Sequence, residues 1–453
     1  MKYFKTTFIW IIVLVAVGGY TLIDSKSTKE TEQKKEEASK LLPFRAEQVL
    51  AISMKRESGN MELERWDKGW KIISPVQTMA NNGAVEKFIK EVTDSRNDAE
   101  YVMDRNPTPE RLAEFGLATP SVRVTLKVGK DLKEHTILFG NRAPTMGVAY
   151  AQLEGQKPVY RVLADARSEA DKDVYYFRDK SVLRLNPVMV DQVSIVHPDS
   201  SMLFKLGDDG QWRVEKPMQT RADHNKLFEF IGFFANGEVK EFVSEKKEKL
   251  SQYGLDKPSA SVLFWLSGDS SATVKVDIGN RSPEKRGYFC AMSDRDNIFI
   301  LEEKIINAIP RVADELRSRE LLSFDNSKLN RIEVRSAEKT VVLVKDTESE
   351  WRKGTIKGAK ADYTTVNEFL DEIKKFEIKE FVANDMRGMN KYGLDPAAVQ
   401  VHLWTAGSSV PLTLNVGKAT PAGYVYAVMT SEKSVVTLEE RIIRVVGAYL
   451  KDI

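Results

Sequence analysis

One stretch of sequence is written three times in this chain, and that repetition limits the fold more than any other feature. Trp70, Trp212 and Trp351 mark the copies, at intervals of 142 and 139 residues. A stretch of that length is enough for one compact unit with its own core, so the copies are expected to fold alike. We therefore divide the chain into repeat 1 (residues 41–185), repeat 2 (186–325) and repeat 3 (326–453).

Each repeat opens with strands that lead to its tryptophan. The segments MELERWDKGW, MLFKLGDDGQW and VVLVKDTESEW each combine a strand pattern with polar turn residues. This arrangement predicts a β-meander. A tryptophan that closes a hairpin onto a helix usually packs in the core, although its ring could also stack on a sugar. We interpret Trp70, Trp212 and Trp351 as packing residues.

A helix follows the meander. Asn81, Asp223 and Asp362 each follow an alanine, and their side-chain oxygens can accept a backbone N–H at a helix start. Apolar residues then recur at i, i+3, i+4 and i+7, which places them on one helical face that we interpret as core. These residues are Val85, Phe88, Ile89 and Val92 in repeat 1, Leu227, Phe230, Ile231 and Phe234 in repeat 2, and Val366, Phe369, Leu370 and Ile373 in repeat 3.

Two glycine turns complete the repeated signature. Gly116, Gly254 and Gly393 lie in FGLATP, YGLDKP and YGLDP, where glycine can close a short helix in the left-handed region. The second set is Gly140, Gly279 and Gly417, in GNRAP, GNRSP and GKATP. Strands and a last helix follow in each repeat. The fold class that we predict is α+β, with a meander, a helix and a sheet in each of three tandem repeats.

The N-terminus predicts a membrane anchor. Lys2 and Lys5 precede an uncharged apolar run at residues 6–23, which at about 1.5 Å per residue spans about 27 Å, close to the thickness of a bilayer core. The lysines favour a cytoplasmic N-terminus at residues 1–5. A charged spacer at residues 24–40 then leads to repeat 1.

A cleaved signal peptide is the alternative for this segment. Residues 16–18 form a small-x-small triplet of the kind that signal peptidases cut, but the triplet lies inside the apolar run. We therefore expect a single-pass protein, anchored by residues 6–23, with the three repeats outside the cytoplasm.

Composition excludes some classes of function. The 68 basic and 66 acidic residues nearly cancel, so charge gives no reason to expect a nucleic-acid partner. The single cysteine, Cys290, excludes an internal disulfide and any multi-cysteine metal site. We interpret Cys290 as a small buried side chain in a strand.

The polar residues form no recognisable catalytic or metal-binding motif. The four histidines fall in different elements, without ligand spacing; they are His135, His197, His224 and His402. Nucleophile elbows and phosphate loops are missing from the sequence. Asp256 and Asp395 recur in the YGLD turns, where an acid can bond its own backbone. We predict no enzyme activity, no cofactor and no metal, and interpret the repeated positions as structural.

The signature resembles the DUF4340 domain family, whose pattern is a Trp hairpin, an Ala-Asp-led helix, a YGLDxP turn and a GNxxP turn. The resemblance covers nearly all of residues 41–453, with departures at Phe115, Ala118 and Lys418. It implies a bacterial inner-membrane protein with its C-terminal part in the periplasm or otherwise extracytoplasmic. It also implies partners in ABC-type systems related to gliding-motility transporters, either permease or auxiliary subunits.

Three hypotheses of function follow. The first is a non-enzymatic scaffold or accessory protein that docks to subunits of an ABC-type transport or motility complex. The second is a module that binds cell-envelope glycan or lipid through its repeated tyrosines and tryptophans. The third is a hydrolase that uses Asp256 or Asp395. We favour the scaffold, because tandem modules offer extended surfaces to a partner.

Overall fold

A computed structural model of the chain describes residues 39–97, 100–144, 147–267, 269–430 and 432–452. It divides into two compact units, one that ends at Lys180 and one that runs from Ser181. Three antiparallel sheets form the framework of the described residues. The first lies in the first unit and the other two lie in the second.

The three sheets share one strand order. In repeat 1 the strands are β1 (Val49–Arg56), β2 (Met61–Trp66), β3 (Gly69–Ser74), β4 (Thr78–Met79), β5 (Val102–Asp104), β6 (Val122–Val128), β7 (Lys133–Arg142), β8 (Val148–Leu153) and β9 (Val159–Leu163). They are arranged in the order β4-β3-β2-β1-β6-β7-β8-β9-β5.

Repeat 2 has the same arrangement. Its strands are β10 (Val190–Val196), β11 (Ser201–Leu206), β12 (Trp212–Lys216), β13 (Thr220–Arg221), β14 (Glu241–Ser244), β15 (Ala260–Leu266), β16 (Asp269–Ser282), β17 (Gly287–Met292) and β18 (Ile298–Glu302). The order is β13-β12-β11-β10-β15-β16-β17-β18-β14.

Repeat 3 has eight strands in the corresponding order. They are β19 (Leu329–Ser336), β20 (Thr340–Lys345), β21 (Trp351–Lys353), β22 (Glu380–Ala383), β23 (Val399–Thr405), β24 (Leu412–Ala419), β25 (Tyr424–Met429) and β26 (Ser434–Glu439). The order is β21-β20-β19-β23-β24-β25-β26-β22.

The helices in the described residues are few and short. They are α1 (Asn82–Thr93), α2 (Pro109–Glu114), α3 (Ala164–Ala170), α4 (Val174–Phe177), α5 (His224–Ala235), α6 (Glu303–Asn307), α7 (Tyr363–Lys374) and α8 (Arg441–Asp452). The predicted α+β class is therefore wrong, because strands dominate each repeat. The meander and the later strands also form one continuous sheet, since β1 pairs with β6, β10 with β15 and β19 with β23.

The equivalent helices α1, α5 and α7 cover one face of their sheets. Asn81, Asp223 and Asp362 are their N-caps, and each side chain accepts a hydrogen bond from the backbone N–H three residues on. The apolar face predicted for each helix is buried against its sheet and forms the core with the inward residues of the strands. The boundaries at 185/186 and 325/326 stay predictions.

The prediction of a single-pass membrane protein finds no support among the described residues. Among the residues that the structure describes, no helix is both long enough and apolar enough to span a bilayer. The longest have twelve residues, about 18 Å, because each helix only crosses its own sheet. The anchor predicted at residues 6–23 lies outside the described residues.

Candidate functional site

The two glycine turns of each repeat contact each other. A Cβ at Gly279 would lie 2.1 Å from the carbonyl oxygen of Tyr253, in the YGLD turn. Gly254 has φ +68°, and a Cβ there would meet the side chain of Asn280 at 2.4 Å. Repeats 1 and 3 build the same contact with Gly116 and Gly140, and with Gly393 and Gly417. Both motifs therefore form one structural unit, and glycine is required by close approach.

The leucine after each turn glycine buries its side chain in a small cluster apart from the main core. Leu117, Leu255 and Leu394 are all buried. The exposed acids beside two of them, Asp256 and Asp395, lie on the surface of this turn in different repeats. The structure does not bring those acids together with any histidine.

The repeated aromatic residues serve packing. Trp70, Trp212 and Trp351 are at most 4% exposed, so their rings offer no platform for a sugar. The tyrosines that follow the GNxxP turns also pack on the first turn: Tyr150 lies 4.6 Å from Phe115 and Tyr426 lies 5.0 Å from Tyr392, measured between ring centroids. These contacts join the strand after the second turn to the first turn.

The histidines are dispersed. His135 packs on Phe44, with ring centroids 4.8 Å apart, and His224 is exposed at the start of α5. His197 is buried, and its Nε2 lies 2.8 Å from the carbonyl oxygen of Pro310. His402 bonds Thr413 through Nδ1 at 3.0 Å, and burial lowers the pKa of His402. Within the described residues no histidine, cysteine and carboxylate cluster could hold a metal ion.

Cys290 lies in β17 and is buried. Burial raises the pKa of the Cys290 thiol well above its ordinary value. A thiol that stays protonated in an apolar core is a poor nucleophile. Cys290 is therefore a packing residue of repeat 2.

A buried arginine joins repeats 2 and 3 inside the second unit. Arg317 is 1% exposed, and its guanidinium lies 3.8 Å from the ring centroid of Phe381. It donates to Asn384 Oδ1 at 2.8 Å and to Ser434 Oγ at 2.7 Å, both in repeat 3. It also donates to Asp314 Oδ1 at 3.2 Å in repeat 2. The fork of donors thus satisfies acceptors from both repeats.

A second charged contact lies beside this arginine. Arg221 donates to Glu432 Oε1 at 2.8 Å, and Thr220 donates to the other carboxylate oxygen. Burial would raise the pKa of Glu432, but these hydrogen bonds outweigh it and hold the pKa below the ordinary value. Together the two networks form what we call the joint: Thr220, Arg221, Asp314, Arg317, Phe381, Asn384, Glu432 and Ser434.

An open cleft of about 960 Å³ lies next to the joint. Its walls come from the β10–β11 turn, the segment after α6 and the loop after β22. His197 and Asp314 line the cleft, but both already hold structural partners, Pro310 and Arg317. We do not assign chemistry to this cleft.

Helix α5 differs from its two equivalents on its outer face. Five and ten residues after the N-cap, repeat 2 has Phe228 and Phe233, which are 43% and 36% exposed. Repeat 1 has glutamates at these positions, and repeat 3 has an asparagine and a glutamate. They are Glu86 and Glu91 in α1, and Asn367 and Glu372 in α7. The buried face of α5 keeps the shared apolar pattern, so Phe228 and Phe233 are additions to its outer surface.

These two phenylalanines line a groove of about 700 Å³ between α5 and α6. The buried side chain of Ile305 lies against the groove. The charged residues around it are Glu229, Glu238, Glu302 and Lys304. An exposed aromatic pair in a groove with a charged rim is typical of a protein-binding surface. We take this groove as the candidate functional site.

The sequence contains a signal for this site, but the core pattern of the same helix obscures it. The letters HNKLFEFIGFFA in α5 satisfy the core periodicity through Leu227, Phe230, Ile231 and Phe234. Because this periodicity accounts for four of the apolar residues, Phe228 and Phe233 stand out only when α5 is aligned with α1 and α7 position by position. Arg317 begins the segment RSRELL, which corresponds to RDKSVL at the end of repeat 1 and gives no sign that this arginine is buried.

One family model matches the chain, described as "Domain of unknown function (DUF4340)". It matches three times, over residues 70–211, 212–395 and 357–453. The first two matches begin at Trp70 and Trp212, the residues that mark the repeats in the sequence. No curated protein and no solved structure matches the chain.

Proposed function

Because this chain belongs to the DUF4340 family, whose model matches most of its length in three copies, we propose that it is a non-catalytic scaffold protein that docks onto partner subunits. The partners that we propose are subunits of an ABC-type transport or motility complex in the bacterial envelope. The identity of the partners rests on the resemblance given above. The docking role rests on the structure of repeat 2.

The observation that supports docking most strongly is the exposed pair Phe228 and Phe233. Two aromatic side chains that remain exposed to water do not contribute the free energy that their burial would give. The equivalent helices of this chain have polar residues at the same positions. Aromatic residues are also the commonest anchors at protein interfaces. Repeat 2 thus carries a surface that the fold itself does not require.

The joint supports the same role. The buried Arg317 binds side chains of repeats 2 and 3, and the partly buried Glu432 of repeat 3 binds Thr220 and Arg221 of repeat 2. Fixing two sheets together in this way gives a partner a preorganised surface, which reduces the entropy lost on binding. The glycan alternative has no comparable support, since the tryptophans that suggested it are buried.

Affinity purification of the full chain after chemical crosslinking in cells tests the proposal. We expect the wild-type chain to retain a small set of transport or motility subunits, and the double variant Phe228→Glu/Phe233→Glu to lose them. A variant of α7 at the matched position, Asn367→Glu, is the control and should retain them. Recovery of no such subunit with the wild-type chain would refute the proposed function.

A further inference from the structure

We propose that the groove of repeat 2 accepts an amphipathic helix from a partner protein, with basic residues beside its apolar face. This inference rests on the proposed docking function and specifies its ligand. It is drawn from a comparison of how the three repeats cover the same helix.

Repeats 1 and 3 pack a further helix of their own beside α1 and α7. In repeat 3 the twelve-residue α8 packs on α7, where Arg441 bonds Glu372 at 3.1 Å and Tyr449 packs on Phe369. In repeat 1 the seven-residue α3 packs on α1, where Glu169 bonds Lys87. A charged residue of the covering helix thus pairs with the covered helix in both repeats.

Repeat 2 has only a short covering helix. The equivalent helix α6 has five residues, Glu303–Asn307, and ends after little more than one turn. At the position of Glu372, which binds the covering helix in repeat 3, repeat 2 has Phe233. Phe228 lies one and a half turns before it on α5. The place of a longer covering helix is therefore open and has become apolar.

The charges around the groove favour a basic ligand. Three carboxylates and one ammonium surround it, and Lys304 is paired with Glu302 at 2.7 Å. For the other two carboxylates, Glu229 and Glu238, the described residues provide no ion pair. A helix with lysine or arginine beside its apolar stripe would place opposite charges near both glutamates, as the e and g positions of coiled coils do.

The shape of the groove fits the same ligand. Phe228 and Phe233 lie about 140° apart around α5, with Gly232 between them, and a second helix can pack along the groove between the two rings. The groove is lined mainly by α5 and α6, so what it presents to a ligand is chiefly helical surface. Helix-in-groove binding is the recognition mode that these elements provide.

The test uses fluorescence anisotropy with the full chain and two synthetic amphipathic helices of about 18 residues, one of leucine and lysine and one of leucine and glutamate. We expect the leucine–lysine helix to bind and the leucine–glutamate helix to bind at least about tenfold more weakly. Phe228→Glu/Phe233→Glu and Glu229→Lys/Glu238→Lys should each weaken binding of the first helix by about tenfold or more.

The controls keep this test decisive. Phe228→Glu and Phe233→Glu each place in repeat 2 the residue type that repeat 1 has at that position, so folding should be retained, as circular dichroism would show. Val410→Glu, at a position 74% exposed in repeat 3, should leave binding unchanged. Equal binding of both helices, or binding unaffected by the phenylalanine variants, overturns the inference.

Self-association has a separate outcome. If sedimentation shows that the wild-type chain forms dimers that Phe228→Glu/Phe233→Glu abolishes, the occupant is a second copy, and the proposed ligand is wrong. Failure of the peptide test with continued recovery of partner subunits after crosslinking would overturn only the helix ligand. Loss of both would overturn the docking function too.

Discussion

The Nη2 of Arg317 donates a hydrogen bond to Oγ of Ser434 at 2.7 Å, across the boundary between repeats 2 and 3. Both side chains are buried, at 1% and 3% exposure. A buried guanidinium is stabilising only when its donors are satisfied, and here Asn384 and Asp314 accept the others. This buried cation therefore couples the two repeats.

We expect Arg317→Met to uncouple repeats 2 and 3. The variant removes the hydrogen bonds to the buried Ser434 and to Asn384, which should lower the free energy of unfolding by about 3 kcal/mol. Calorimetry should show the shared transition of the two repeats separating into two. Arg213→Met, which removes an exposed ion pair with Asp209 inside repeat 2, should change little. An unchanged single transition in Arg317→Met would contradict the joint.

The contribution of Glu432 should depend on pH. Its pKa is held below the ordinary value of about 4.5, so the ionised carboxylate stabilises the folded state above that pH. The stabilisation, about 2 kcal/mol for two charge-assisted hydrogen bonds, is lost as pH falls from about 4.5 through the lowered pKa.

Urea unfolding of wild type and Glu432→Gln at a series of pH values checks this. The difference in unfolding free energy should be constant between pH 6 and 8, as about two units above the ordinary pKa suffices for full ionisation. It should shrink toward zero under acid conditions. A difference that grows as the solution is acidified would show that the sign is wrong.

Gly279→Ala should be costly, because its Cβ would lie 2.1 Å from the carbonyl oxygen of Tyr253, which is fixed backbone. We expect a loss of about 3 kcal/mol in thermal or chemical unfolding. Gly447→Ala is the matched change in α8, where a Cβ has open space. That control should stabilise the protein by about 0.5–1 kcal/mol, by helix propensity. Similar losses in both variants would argue against the contact between the turns.

Cys290 should report the unfolding of repeat 2. It is the single cysteine of the chain and is buried in β17. A thiol reagent such as Ellman's reagent should leave it unmodified in the native protein at pH 8 and react with one thiol per chain in denaturant. The modification rate at intermediate urea should follow the opening of this repeat. Rapid reaction in the native state would show that the strand is not closed.

The local features of the fold could be read from the sequence. N-caps at Asn81, Asp223 and Asp362, and the apolar helix faces after them, depend on spacings of a few residues. The positive φ at Gly116, Gly254 and Gly393 follows from the glycine-proline turn in the same way. Three copies of each pattern made these predictions firm.

The long-range features could not be read in this way. Pairing of β1 with β6 joins residues that are separated in the chain by four strands and two helices. This pairing merges the expected meander and the later strands into one continuous sheet. The docking of Gly279 on Tyr253 links two motifs that look independent in the sequence. The exposure of Phe228 and Phe233 depends on how short α6 is, which their own helix does not show.

Site-specific photo-crosslinking in cells tests the central claim most directly. A photoreactive residue replaces Glu229 in α5, or Glu368 at the matched position of α7, six residues after each N-cap. We expect position 229 to form an adduct with one partner subunit, and position 368 to form none. We also expect the adduct at position 229 to be lost when Phe228→Glu/Phe233→Glu is introduced. Equal adducts from both positions, or none from position 229, would contradict docking at repeat 2.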